Sequence, residues 1–145
     1  GNQDLEKFHE RNKLLFRLYN PKIFLRMEEK LENDDSDEAK AQEYFDMIKK
    51  LFSRGFVPEN FENLGLYLLN RLSDDLFKRE KRNIKKILRM YRKNKIGPNP
   101  LLYVLKSLAL RLENKFILKQ TLFEPFPKDL LPESDKDRDK NFWTN

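Results

Sequence analysis

Apolar residues recur every three or four positions along most of the chain, the spacing of one face of an α-helix. Caps and prolines stand at the breaks between these apolar stripes. The predicted helices are one over residues 4–19, others opened by Asn20-Pro21, Ser36, Pro58 and Ser73, and a last one opened by Asn99-Pro100. We therefore predict an all-α fold of about five to six helices without a sheet. About three antiparallel helix pairs would form stacked helical hairpins, as an α-solenoid-like array or a compact bundle.

Two segments of the chain have a similar sequence pattern when residues 44–72 are aligned with residues 84–112. Pro58 then falls on Pro98, and Arg71-Leu72 falls on Arg111-Leu112. The accompanying apolar matches are weaker evidence, because any two amphipathic helices in phase would partly agree at this shift. A repeated helical hairpin is typical of modules that bind other molecules without transforming them.

The end of the chain has a different pattern from the rest. Residues 1–121 are predicted to form a single helical domain, and residues 122–145 a Pro-punctuated apolar segment with a charged tail. Large apolar residues in segment 122–131 are too frequent for a solvated tail, so we expect it to pack onto the helical body. The last helix, which contains Leu105 and Leu108, has the broadest apolar face and is predicted to be the most buried element. Gly65 lies on an apolar face, where it would allow close helix contact.

Catalytic chemistry has few candidate residues. The chain contains no Cys, which excludes a disulfide, a thiol nucleophile and a cysteine metal site. His9 is the only histidine and is predicted to lie on a helix surface; Glu6 and His9 have the spacing of half a di-iron site, but no second His completes it. No phosphate-binding Gly loop is present. We therefore predict that the protein is not an enzyme and has no cofactor and no metal.

No apolar run approaches the roughly 20 residues that span a bilayer, so no membrane span is expected. A cytoplasmic location is the default expectation, and the sequence leaves the oligomeric state open.

One segment is strongly basic. Residues 78–95 contain ten basic residues and one acid, Glu80. The candidate polyanion-binding residues are Lys78, Arg82, Lys85, Lys86, Arg89, Arg92 and Lys93. Clustered Lys and Arg bind nucleic acid by releasing its condensed counterions. The alternative is a solvated helix face that partly neutralises the acidic stretch 28–46. Glu80 lies on the apolar stripe. It either forms a salt bridge with a basic residue of the neighbouring helix or reaches the solvent at the edge of the stripe.

Three short motifs carry a resemblance to a known family. They are Asn63-Leu64-Gly65 with Tyr67-Leu68, then Leu101-Leu102-Tyr103-Val104 with Ala109 and Leu112-Glu113, then Phe123-Glu124-Pro125. Over roughly residues 60–125 the chain resembles the central domain of the scaffold subunit of the cytoplasmic deadenylase complex, a MIF4G-type stack of HEAT-like hairpins. The resemblance implies a non-catalytic platform that docks protein partners in RNA metabolism.

Two functions are therefore consistent with the sequence. The first is a helical interaction or scaffold module that binds another protein. The alternative is binding of RNA, DNA or another polyanion through the basic face of a helix over residues 76–95.

Overall fold

The computed structural model describes residues 2–33, 35–55 and 57–123. Its α-helices in these residues are α1 Asn2–Tyr19, α2 Pro21–Glu32, α3 Asp37–Phe52, α4 Pro58–Leu72, α5 Lys78–Arg92, α6 Asn99–Arg111 and α7 Lys115–Leu118. Two 3₁₀ turns, Ser73–Asp75 and Thr121–Phe123, complete the regular structure. The described residues contain no strand, so the prediction of an all-α fold is confirmed. None of these described helices combines the length and the apolar character that a membrane span requires.

Short-range capping explains where several helices begin. The side chain of Asn20 accepts a hydrogen bond from the Ile23 amide at 3.1 Å, and Pro21 follows as the first helical residue. Ser36 likewise accepts from the Ala39 amide at 3.3 Å. Both predicted caps are confirmed.

The predicted break between α4 and α5 is present, but its cap differs. Ser73 begins a 3₁₀ turn, and α5 starts at Lys78. The Phe77 amide donates instead to the carboxylate of Glu80 at 2.8 Å. A glutamate at the third helical position reaches back to this amide, which would otherwise lack a partner, so the helix begins later than Ser73 suggested.

Helix α1 is at the centre of the packing. It contacts α2, α3, α4 and the second 3₁₀ turn, whereas α5 packs between α4 and α6. In a linear stack each repeat contacts only its neighbours, so the contacts of α1 with α4 and with the 3₁₀ turn Thr121–Phe123 favour the compact bundle. Leu14, Phe16 and Leu18 of α1 are each at most 2% exposed.

The last long helix, α6, buries six of its 13 residues, the largest fraction among α1 to α6, as predicted. It buries Leu101, Leu105 and Ala109, but Tyr103 is 64% exposed and Leu110 59% exposed. Apolar residues cover most of its circumference, so the sequence does not show which of them meet a neighbour.

Polar side chains attach the end of the described chain to α1. The buried Gln120 accepts from the Leu14 amide at 3.0 Å and donates to the Glu10 carbonyl at 2.7 Å. Leu122 and Phe123 are buried next to this contact. The first two residues of segment 122–131 thus pack as expected, and the rest of that segment lies outside the described residues.

Gly65 lies at a close helix contact. A Cβ atom there would be 2.7 Å from Leu88 Cδ2 and 2.9 Å from Leu101 Cδ2. We expect Gly65→Ala to lower the free energy of unfolding by up to about 2 kcal/mol. Overpacking costs about 1–3 kcal/mol, and the better helix propensity of alanine offsets only about 1 kcal/mol of it. Urea denaturation measures the change, with Asn63→Ala on the exposed side of α4 as control. A more stable Gly65→Ala protein would contradict the prediction.

Candidate polyanion-binding face

Helix α5 separates apolar from basic side chains. Its 15 residues extend for about 22 Å at about 1.5 Å per residue. Ile84, Ile87, Leu88 and Tyr91 are buried against the body of the bundle. The basic face comprises the seven predicted residues Lys78, Arg82, Lys85, Lys86, Arg89, Arg92 and Lys93, and all of them are exposed.

Glu80, the acid within this segment, belongs to an interhelical contact. Its carboxylate accepts hydrogen bonds from Arg111 Nε at 3.1 Å and Arg111 Nη2 at 2.6 Å. Of the two interpretations of Glu80, the salt bridge to the neighbouring helix is therefore the one observed. Because Glu80 is paired with α6, it does not neutralise the basic face.

Arg92 differs from the other residues of the basic face. Its guanidinium group pairs with Glu62 of α4, with Nε donating to Oε1 at 2.8 Å. This hydrogen bond raises the pKa of Arg92 above its ordinary value. The pair joins α5 to α4, so we regard Arg92 as a structural contact. Within residues 2–33, 35–55 and 57–123, the other six residues of the basic face form no ion pair.

A shallow, open groove of about 490 Å³ runs along the centre of the basic face. Its lining residues are Arg79, Arg82, Asn83, Lys85, Lys86 and Arg89. Four of the seven predicted residues therefore line the groove, and Arg79 is an additional cation there. The lining contains no aromatic ring on which a base could stack, so the groove suits phosphate groups better than bases.

Three acids of the stretch 28–46 pair with His9 or with lysines outside the basic face in the described part of the chain. Glu28 contacts His9 and Lys13 of α1, and Lys30 of α2 contacts Asp35 and Glu43. No described ion pair joins this stretch to the basic face. These contacts do not provide the internal neutralisation considered from the sequence.

His9 is buried, so its prediction as a helix-surface residue was wrong. Its side chain is 2% exposed and stacks on Phe24 with ring centroids 5.5 Å apart. Nε2 donates to the Glu28 carboxylate at 3.1 Å, which leaves Nδ1 to accept the hydroxyl proton of Tyr44 at 2.8 Å. Burial lowers the pKa of His9, although Glu28 acts in the opposite direction.

One sequence signal could have revealed this burial. His9 lies four residues after Leu5 and three before Asn12, in the same helical stripe as Phe16, and all four are buried. A buried polar residue in an apolar stripe requires a hydrogen-bond partner, and here the partners are Glu28 and Tyr44. The described residues contain no cluster of three or more His, Asp or Glu side chains that could hold a metal ion.

The fold and its surface define a small all-α module whose exposed cationic face on α5 is largely unpaired within the described residues. The chain belongs to the family described as "Protein of unknown function (DUF1722)", whose model matches residues 13–127. This match includes the entire basic face. No curated protein and no solved structure matches the chain significantly.

Proposed function

We propose that this chain is a non-catalytic binding module that holds the phosphate backbone of nucleic acid on its basic face. The supporting observation is a row of six exposed cations that have no acidic partner among the described residues. Neutralising phosphates with Lys and Arg releases counterions, and this release gives a favourable, sequence-independent contribution to binding. A cytoplasmic location remains part of the proposal.

The dimensions of α5 suit a duplex. At about 22 Å, the helix spans roughly six nucleotides of one strand at about 3.4 Å per step. Because the apolar side of α5 is buried against the bundle, the helix would contact the phosphates with its basic face and would not enter the major groove. Because the groove of α5 lacks aromatic rings, we expect a duplex to bind at least as tightly as a single strand of equal length.

Reversing three central charges tests the proposal. We expect Lys85→Glu, Lys86→Glu and Arg89→Glu together to weaken binding of a labelled 20-base-pair duplex at least tenfold in low salt. Each phosphate contact contributes about 0.9 to the slope of log affinity against log salt, so the slope should become shallower by about 2–3. Fluorescence anisotropy between about 50 and 200 mM salt measures both quantities.

A matched control distinguishes the effect of the position of the reversed charges from the effect of the changed net charge. Lys22, Lys49 and Lys50 are exposed on α2 and α3, and their reversal changes the net charge by the same amount. The control protein should keep the wild-type salt slope, and both variants should keep the wild-type melting temperature. Equal losses of affinity in the two variants would contradict a specific role for α5.

A protein-docking function is the second candidate. Tyr103 and Leu110 are exposed and seven residues apart, so they share the outer side of α6. An exposed apolar pair of this kind suits a protein partner, in agreement with the resemblance to HEAT-like scaffolds. Loss of a protein partner from a Tyr103→Glu, Leu110→Glu protein, with retention by the α5 variant, would favour scaffolding.

A further inference from the structure

A second, more enclosed pocket lies away from the basic face, where side chains of α1, α2, α4 and α7 meet. Its volume is about 110 Å³. Its charged lining residues are Glu10, Lys13, Arg17, Glu28 and Arg71. Three bases and two acids leave this lining with a formal charge of +1.

Arg17 is held over aromatic rings at this pocket. Its guanidinium carbon lies 3.9 Å from the centre of the Tyr67 ring and 5.7 Å from that of Phe24. Such cation–π contacts fix the direction of the side chain. In the described part of the chain no acid pairs with Arg17, so its charge is oriented but not neutralised.

Arg71 is positioned by the same tyrosine. Its Nη1 atom donates to the Tyr67 hydroxyl at 3.2 Å, and its guanidinium carbon lies 4.4 Å from the centre of the Phe116 ring. The ion pairs of residues 2–33, 35–55 and 57–123 do not include Arg71. Two guanidinium groups therefore contact one Tyr67 side chain, one at the ring face and one at the hydroxyl.

The two acids of the lining already have other partners. Lys13 Nζ lies 3.1 Å from Glu10 and 3.5 Å from Glu28, and Glu28 also accepts from His9. The carboxylates of Glu10 and Glu28 are therefore already paired. Arg17 and Arg71 keep N–H groups that could donate hydrogen bonds to a bound ligand. Arg17 is half-buried and Arg71 is exposed, and an anion in the pocket would receive charge-assisted hydrogen bonds from both.

We propose that this pocket binds one phosphate group, either inorganic phosphate or the terminal phosphate of a small molecule. Guanidinium forks form paired, charge-assisted hydrogen bonds with phosphate oxygens, and a tetrahedral anion presents oxygens to two arginines at once. The size is suitable, because a cavity of about 150 Å³ accommodates benzene and phosphate is smaller. The proposal is independent of nucleic-acid binding, since no residue of α5 lines the pocket.

Isothermal titration calorimetry with inorganic phosphate, against chloride at equal ionic strength, tests the site in the full chain. We expect saturable binding of one phosphate, together with a rise in melting temperature that saturates in parallel. Arg17→Gln and Arg71→Gln should each raise the dissociation constant at least tenfold. Tighter binding of glycerol 3-phosphate would identify a phosphate monoester as the ligand, and equal or weaker binding would identify inorganic phosphate.

Three further variants make the result specific. Tyr67→Phe keeps the ring beneath Arg17 but removes the hydroxyl that positions Arg71, so it should weaken phosphate binding several-fold in a folded protein. Arg26→Gln on the exposed side of α2 should leave the affinity unchanged, as should the triple charge reversal on α5. The proposal is overturned if phosphate gives no saturable response beyond that of chloride. It is also overturned if Arg17→Gln, Arg71→Gln and Tyr67→Phe all bind phosphate as tightly as the wild-type protein.

Discussion

Leu105→Ala is expected to lower the free energy of unfolding by about 2–5 kcal/mol, and Leu108→Ala by an amount in the same range. Leu105 is 1% exposed and Leu108 is 8% exposed, both on the inner side of α6. Truncation removes the apolar surface buried by each leucine and leaves a cavity that neighbouring side chains fill only in part. Urea denaturation followed by circular dichroism measures the loss.

The same helix provides a control with identical chemistry. Leu110 is 59% exposed, so Leu110→Ala should change the free energy of unfolding by no more than about 0.5 kcal/mol. Similar midpoints for Leu105→Ala and Leu110→Ala would show that α6 does not pack on the bundle by the side described.

The helices and several of their boundaries could be predicted because the signals are local. A cap such as Asn20 or Ser36 binds an amide only three residues away, so neighbouring sequence contains the whole interaction. Helical periodicity likewise places Ile84 and Ile87 on the side of α5 opposite Lys85 and Lys86.

Burial that depends on distant partners could not be predicted in the same way. His9 is buried because Tyr44 and Glu28, which lie on two other helices, satisfy both ring nitrogens. Gln120 similarly binds backbone groups of α1 from the far end of the chain. Only tertiary structure shows that these polar groups have partners, and without partners the same residues would favour the surface.

The two candidate sites differ in how far each can be predicted from the sequence. The basic face lies on one helix, so a helical wheel was sufficient to identify it. The pairing of Arg92 with Glu62 depends on how α4 meets α5 and was missed. The proposed phosphate pocket joins Arg17 to Arg71 through Tyr67, and no sequence spacing relates residues on different helices.

Acid is expected to destabilise the protein through His9. Burial holds the pKa of this residue below the value of about 6.5 for an exposed histidine. Below about pH 6.5 the unfolded chain therefore binds a proton that the folded chain resists, so stability is fully present above this pH and is lost as the pH falls towards the folded pKa. One proton corresponds to a slope of at most about 1.4 kcal/mol per pH unit.

His9 is the only histidine in the chain, which makes the assignment direct. Free energies of unfolding should fall from pH 7 to pH 5 in the wild-type protein and fall less steeply in His9→Gln. Glutamine can still donate to Glu28 and accept from Tyr44, but it does not titrate. Proton NMR of the folded protein should give a ring pKa below 6.5. Parallel stability profiles for the two proteins would contradict the role assigned to His9, because the acid dependence would then come from carboxylates that both share.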